Sequence, residues 1–339
     1  MSGGVDSSVA AALLRDAGHD VVGATMKLWG GESDSGCCSV ADVEDARRVA
    51  QQLGIAHHVF NFSADFDRHV VDPYVAEHAA GRTPNPCVAC NRHLKFDRFL
   101  RRADQLGFDA MATGHHARIV LADGRWQLVR GADRAKDQSY VLYMLTQPQL
   151  ARTLLPIGEL TKAAVRERAV ELGLRTAAKP DSQDVCFITR SGGREAFLGD
   201  RIALHPGRLV DGASGQELGK IAAVELVTVG QRRGMGDQLA GGARRYALHV
   251  DVAGATVTVG RGEDLLDDRV AVAQMSWVSE PAPPGSAVSV QLSAHGRPVS
   301  AVIEDGGALR FGEPQRRVAP GQSVVLYQGD SVLGGGIAA

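Results

Sequence analysis

Two styles of hydrophobic patterning divide this chain. In the first half, continuous or alternating apolar runs are followed by runs with helical spacing. Val9, Ala12 and Leu13 set out one helical face directly after a Ser2-Gly3-Gly4 turn. Asp20 to Leu28 then reads as a strand, Val40 to Leu53 as a helix closed by Gly54, and Ile55 to Phe62 as a second strand. His93 to Leu106 reads as a helix, and Asp109 to Thr113 as a strand that ends on Gly114-His115-His116. Ala117 to Leu121 and Trp126 to Val129 flank an Ala-Asp-Gly turn and predict a hairpin. Helical spacing returns at Thr161 to Leu172, with Gly173 as its C-terminal cap. This alternation predicts a parallel α/β sheet. After about residue 190 the pattern changes to short alternating strands between Gly and Pro, as in Ala255 to Val259, Ala287 to Leu292 and Ser323 to Tyr327. A break at Gly262 to Asp268 and the Pro281-Ala-Pro-Pro-Gly turn divide that half into two small β units. The expected organisation is an α/β domain over 1–190, a central β domain over 191–264 and a C-terminal β-barrel-like domain over 265–339.

Length supports several domains, because 339 residues exceed what one core usually holds. With 44% hydrophobic and 22% charged residues the chain reads as soluble and globular. No apolar run has the length of a membrane span, and no basic-then-apolar leader opens the chain, so the cytoplasm is the expected address. A net charge of −2 gives no global attraction to nucleic acid. Binding of that kind would need local patches, for which Arg98, Arg101, Arg102, Arg232, Arg233, Arg244, Arg245, Arg316 and Arg317 are candidates; each pair alone is more often a solvated face.

The opening Met1-Ser2-Gly3-Gly4-Val5-Asp6-Ser7-Ser8 carries the first candidate chemistry. Gly3 and Gly4 allow successive amides to converge on one point, and Asp6 or Ser7 is placed to cap the helix that follows. A helix start offers unpaired donors and a positive dipole end to an anion. The spacing differs from the G-x-x-x-x-G-K-[ST] loop and no Lys follows, so pyrophosphate is the expected occupant; an ordinary Gly-rich turn is the bland alternative. In doubly wound sheets such a loop follows a strand, so a first strand of roughly half a dozen residues is expected ahead of Met1.

Five cysteines, at 37, 38, 87, 90 and 186, are too few and too oddly numbered for a disulfide scaffold. Thr83-Pro84-Asn85-Pro86-Cys87-Val88-Ala89-Cys90-Asn91 places two thiols directly before the expected helix, where a dipole would favour the Cys90 thiolate. Cys186 lies in a polar loop after a helix. Three accounts remain open: a zinc site using Cys37, Cys38, Cys87 and Cys90, against which adjacent cysteines argue; a thioredoxin-like couple; and a pair, Cys90 with Cys186, of which one carries sulfur and the other resolves it.

Taken together, the motifs resemble the bacterial tRNA-specific 2-thiouridylases, members of the PP-loop ATP pyrophosphatase group. The resemblance runs along essentially the whole chain. It is carried by SGGVDSS at 2 to 8, ATMKLW at 24 to 29, GRTPNP at 81 to 86 with CN at 90 and 91, ATGHHAR at 112 to 118 and KDQSY at 136 to 140. KPDSQDVCF at 179 to 187, TVGQRRGMG at 228 to 236, APGQ at 319 to 322 and LGGG at 333 to 336 continue it. The resemblance implies that ATP, with Mg²⁺, adenylates the 2-carbonyl oxygen of a wobble uridine in tRNAs of the lysine, glutamate and glutamine type. A persulfide sulfur then displaces AMP. It implies that residues Met1 to Ser8 hold the departing pyrophosphate and that Met26 and Gly114 line the adenosine pocket. Cys186 matches the persulfide carrier and Cys90 the acid or nucleophile that resolves it, with a disulfide between them as by-product. Asn85, Pro86 and position 87 match a loop that contacts the flipped base, while His115, Lys136, Asp137, Gln138 and Gln322 match tRNA contacts. The implied partners are tRNA and a persulfide donor, either a cysteine desulfurase or a relay protein. Position 87, often Asp in the family, is Cys here, and an Arg-Tyr pair that many members use on tRNA reads Ser293-Ala294. The segment 219 to 224 lacks the His and Gly often seen there.

Two rival functions stay in view. Another PP-loop enzyme would deliver ammonia or an amino acid to an adenylated carbonyl and would need no paired thiols. An RNA-binding protein without catalysis would keep only the β domains.

Overall fold

The computed structural model describes residues 1–29, 40–181, 185–188, 192–234 and 244–339. Helix α1 (Val5–Asp16) starts at once because Gly4 takes an extended conformation and serves as its N-cap. Neither Asp6 nor Ser7 caps it, since both lie inside its first turn. The face of α1 formed by Val5, Val9 and Ala12 is buried against Val49 and Leu53 of α2 (Val40–Leu53) and Val165 and Ala169 of a later helix, Lys162–Glu171. Strands β1 (Val22–Lys27) and β2 (Ala56–Asn61) pair in parallel, Val22 opposite Ala56. Met1 lies against β1: its amino group donates to the Ala24 carbonyl, and its own carbonyl accepts from the Thr25 hydroxyl at 2.7 Å.

A helical run over 63–79, α3, follows β2. The next helix, α4, covers 86–105 and is wound with π-type turns over Cys90–Phe99. It starts well before the expected His93. Pro86 fits a first helical position, where its missing N–H costs nothing, and the Asn85 side chain accepts from Cys87 N at 3.1 Å. β3 (Met111–Ala112) is shorter than the pattern predicted. The hairpin β4 (Ala117–Ala122) and β5 (Arg125–Arg130) turns on Asp123 and Gly124, both at positive φ, as a two-residue turn of this kind requires. After the short helix α5 (Gln147–Ala151), β6 (Thr153–Leu154) pairs in parallel with β3, and α6 (Lys162–Glu171) is capped by the Thr161 side chain. Among the described residues the parallel strands of this first half therefore stand as two separate pairs, β1 with β2 and β3 with β6.

Beyond α7 (Gly193–Gly199) come two sheets. The first contains β7 (Gly207–Asp211), β8 (Glu217–Ile221), β9 (Tyr246–Asp251) and β10 (Thr256–Gly260), in the order β8-β7-β10-β9. The second is built from β11 (Leu266–Val270), β12 (Val272–Trp277), β13 (Ala287–Gln291), β14 (Val299–Ile303), β15 (Leu309–Arg316), β16 (Ser323–Gln328) and β17 (Ser331–Ala338). The hairpin β4–β5 extends this second sheet, with Val129 of β5 opposite Ser331 of β17, and makes it nine-stranded. One core accordingly spans both halves of the chain: Leu128, Leu142 and Tyr143 pack with Val325, Tyr327 and Val332. Among the described residues no helix is long and apolar enough to cross a membrane.

His78 is buried on α3, edge-on to the Tyr74 ring at 4.6 Å. Burial and the nearby Arg194 push its pKa down to about 4. A histidine kept neutral when folded binds its proton more readily when unfolded, so stability falls as pH drops from about 6.5 toward 4. The slope is at most about 1.4 kcal/mol per pH unit. Thermal melting across that range should show the loss in the parent chain and a flatter profile in His78→Phe.

Candidate active site

Gly3 has φ +71, and a Cβ there would lie 2.3 Å from the Asp42 carbonyl of α2. Only glycine fits that turn. Ser7 closes the loop, accepting from Ser2 N at 3.1 Å and donating to the Gly4 carbonyl at 3.2 Å, and Ser8 donates to the same carbonyl at 2.8 Å. The backbone of Gly114 is pressed onto this loop, because a Cβ on it would come within 2.7 Å of Ser7 N. Gly114 and the Ser2–Ser8 segment are thus neighbours, with no side-chain cap on the donors of the first helical turn. Such a turn suits an anion.

Asp6 would repel an anion if left bare. Lys162 donates to both of its oxygens at 2.7 Å, and His116 Nε2 stands 3.3 Å from Oδ1. Burial opposes ionisation of Asp6, but the bonds from His116 and Lys162 outweigh it and hold the pKa below the usual range. Lys162 also contacts Asp181 at 2.8 Å, and Asp181 in turn receives Lys136 at 2.8 Å and Arg166 at 2.7 Å. There too burial works against the charge and loses, to hydrogen bonds from Lys136 and Lys162, and the carboxyl is held far below its ordinary range. Lys179, two residues earlier, bridges Asp42 and Asp45 at the start of α2. Lys179 and Asp181, which precede Cys186 in the chain, are therefore tied to the start of α2 and, through Lys162, to Asp6.

Cys90 and Cys186 share one apolar cluster with Met26, Phe66, Leu94 and Phe197. Cys90 is buried on the π-wound part of α4, a full turn inside the helix rather than at its start, so the expected dipole stabilisation of its thiolate does not apply to it. Phe187 fixes the neighbouring thiol: it is buried among Trp29, Phe66, Tyr74 and Phe197 at ring separations of 6.1, 5.6, 5.3 and 5.0 Å. Cys87 is exposed, and Cys87 and Cys186 both carry free thiols, so the disulfide implied as a by-product is not formed here. Cys37 and Cys38 lie outside the described residues.

The chain matches a family model described as "tRNA methyl transferase HUP domain" over residues 1–190 and one described as "Aminomethyltransferase beta-barrel domain" over 267–338. A protein of Carboxydothermus hydrogenoformans titled "tRNA-specific 2-thiouridylase MnmA" is 45% identical over 352 residues, covering 99% of this chain and 95% of that protein. Proteins with the same title from Chloroflexus aurantiacus (47% identical, 99% and 96% covered) and Solibacter usitatus (45%, 99% and 97%) are also similar. The chain belongs to the tRNA-specific 2-thiouridylase family.

For a 2-thiouridylase, the remaining expected contacts have instructive surroundings. His115 is buried beside Phe96, hydrogen-bonded to Thr113 at 2.8 Å, and burial drives its pKa well below the ordinary value, so it is neutral. Lys136 is held by Asp181, and Gln138 Oε1 accepts from His116 N at 2.9 Å. Asp137 is saturated: Oδ1 accepts from the amides of Gly131 and Ser139, and Oδ2 from Arg130 and the Ser139 hydroxyl. Gln322 donates to the Thr83 carbonyl at 2.6 Å, while Thr83 N donates to the Pro320 carbonyl at 2.7 Å and its hydroxyl to Thr228 at 3.3 Å. Both β units thereby grip the loop that carries Asn85, Pro86 and Cys87. Sequence reasoning missed Lys162, Arg166, Asp181 and Arg130; the string KPDSQDVC held Asp181 in view without indicating its partners.

A residue with a Cβ pays about 1–2 kcal/mol for the left-handed backbone that Gly3 adopts, before any collision with Asp42 is counted. Gly3→Ala is expected to weaken ATP binding by about tenfold or more, measured by calorimetry, with the circular dichroism spectrum unchanged.

Proposed function

We propose that this chain transfers sulfur to the 2-position of the wobble uridine of tRNA, using ATP to make the carbonyl oxygen a leaving group. The observation that carries the reading is the convergence of two thiols, Cys90 and Cys186, in one apolar cluster that also includes Met26, in a chain whose first turn is shaped for an anion. Ammonia- or amino-acid-transferring relatives of the fold have no use for that pair.

In the proposed sequence the uridine O2 attacks the α-phosphorus of ATP, and pyrophosphate leaves into the amides of Ser2 to Ser8. Pairing of Asp6 with Lys162, and its hydrogen bond with His116, support this, because the loop then meets phosphate without a bare carboxylate. Mg²⁺ would arrive on the triphosphate. Among the described residues no three His, Cys, Asp or Glu side chains gather as a metal site.

Sulfur enters as a persulfide on Cys186, loaded by a cysteine desulfurase or relay protein. Its terminal sulfur attacks C2 and AMP departs, leaving a C2–S–S–Cys186 adduct. The Cys90 thiolate then attacks Sγ of Cys186; a Cys90–Cys186 disulfide forms, the electron pair goes to the sulfur on C2 as 2-thiouridine, and an external dithiol later reduces the disulfide. The apolar surroundings suit this step by keeping water from the adenylated base. Asn85, Pro86 and Cys87 would meet the flipped base, and the tRNAs are proposed to be those for lysine, glutamate and glutamine, handled in the cytoplasm. Lys136 and Gln138 would face the RNA, for which Lys136 has to exchange Asp181 for phosphate. His115, buried and bonded to Thr113, and Gln322, bonded to the Thr83 carbonyl, would support that surface from behind.

The test incubates the chain with unmodified tRNA, ATP, Mg²⁺ and a persulfide source, and analyses nucleosides by mass spectrometry. 2-Thiouridine is expected from the parent chain, none from Cys186→Ser, and at most about one part in a hundred from Cys90→Ser. Product from Cys186→Ser at the parent rate, or methylated uridine in place of 2-thiouridine, would overturn the reading.

A further inference from the structure

Arg130, at the end of β5, is buried, and its guanidinium joins two segments that are far apart in sequence. Nη1 donates to Asp137 Oδ2 and to Gln291 Oε1, each at 2.8 Å. The guanidinium also stacks 3.6 Å from the centre of the Tyr327 ring, and the Tyr327 hydroxyl lies 3.2 Å from Ser139 Oγ. On one side Asp137 fixes the turn holding Lys136 and Gln138 through the amides of Gly131 and Ser139. On the other side Gln291, buried at the end of β13, donates through Nε2 to the carbonyls of Ser293 and Ala294, each at 3.0 Å. The loop beyond them exposes Ser293, His295 and Arg297.

A buried charge is expensive to desolvate, and here the cost is incurred at a boundary between domains, where an apolar side chain of similar length would pack without it. Nη2 of Arg130 is buried and has no hydrogen-bond partner. Stability alone gives a weak reason for such an arrangement; fixed relative placement of two polar segments gives a better one. Asp137 cannot itself meet phosphate, since both its oxygens are occupied and it carries the wrong charge.

We propose that Arg130 is a positioning residue that locks the Lys136–Gln138 turn of the α/β domain to the 293–297 loop of the C-terminal sheet, so that the two form one RNA-binding surface. The proposal rests on the reading of Lys136 and Gln138 as RNA-facing. Asp137 and Gln291 act through Arg130, and none of the three touches the anion loop. RNA affinity should therefore depend on the clasp, and ATP affinity should not.

The experiment measures dissociation constants for unmodified tRNA and for ATP on the full chain and on Arg130→Met, Gln291→Leu, their double variant and Lys136→Ala. Arg130→Met is expected to raise the tRNA constant about tenfold and Gln291→Leu about threefold, with the double variant no worse than Arg130→Met, as members of one unit behave. ATP binding stays within about twofold of the parent in Arg130→Met, Gln291→Leu and their double variant. Arg130→Lys, which keeps charge but cannot hold two acceptors in one plane, recovers only part of the affinity. Normal tRNA binding by both Arg130→Met and Gln291→Leu, with Lys136→Ala impaired, overturns the clasp while sparing the RNA-facing reading. Normal binding by Lys136→Ala overturns that reading itself. Additive losses in the double variant, or ATP binding lost along with RNA in Arg130→Met, also contradict the proposal.

Discussion

Lys162 sits between two carboxylates, Asp6 and Asp181, and the rest of the site depends on that placement. Its side chain is only 12% exposed, so both attractions act in a medium less screening than bulk water. Asp6 belongs to the helix whose start is proposed to accept pyrophosphate; Asp181 lies five residues before Cys186, the proposed persulfide carrier. With Lys136 and Arg166 included, cations outnumber the two carboxylates in this cluster. The surplus leaves the neighbourhood of the loop favourable to a phosphate while Asp6 stays ionised. One ammonium group thus ties the proposed nucleotide end of the site to its proposed sulfur end.

The sulfur end obeys a different constraint. An adenylated carbonyl is open to attack by water, so the proposed roles of Cys90 and Cys186 require a dry place. Phe66, Tyr74, Phe187 and Phe197 supply that environment, and Phe187 pins the residue next to Cys186. The π-wound turns that begin at Cys90 displace this stretch of α4 from regular helical spacing, a distortion often found at functional positions. The loop ahead of it is held at Thr83 by Thr228, Pro320 and Gln322, so both β units bear on the residues proposed to meet the base.

Local signals were legible in the sequence. The Gly3 turn, the α2 and α6 helices, the hairpin with its Asp123-Gly124 turn and the strand-rich second half all follow from spacing and turn chemistry within a few residues. Non-local signals were not. The hairpin joins the C-terminal sheet through β17, a pairing across about two hundred residues that no window reveals. The 63–79 helix was missed although its buried positions, Phe66, Val70, Val71 and Tyr74, recur three and four residues apart as a helix requires. The start of α4 was placed too late because two prolines and a polar Asn85 read as loop, whereas they form a cap and a first turn. Lys162 looked like an ordinary surface residue of α6, since its partners lie 156 residues away at Asp6 and in another loop at Asp181.

The central claim is that adenylation and sulfur delivery are separate steps carried by separate parts of one site. Single-turnover release of pyrophosphate from ATP by Cys186→Ser, in the presence and absence of unmodified tRNA, tests it most directly. The account predicts tRNA-dependent release at close to the parent rate, with adenylated tRNA accumulating and no sulfur incorporated. Release abolished along with thiolation, in a variant that still binds ATP and tRNA, would contradict it.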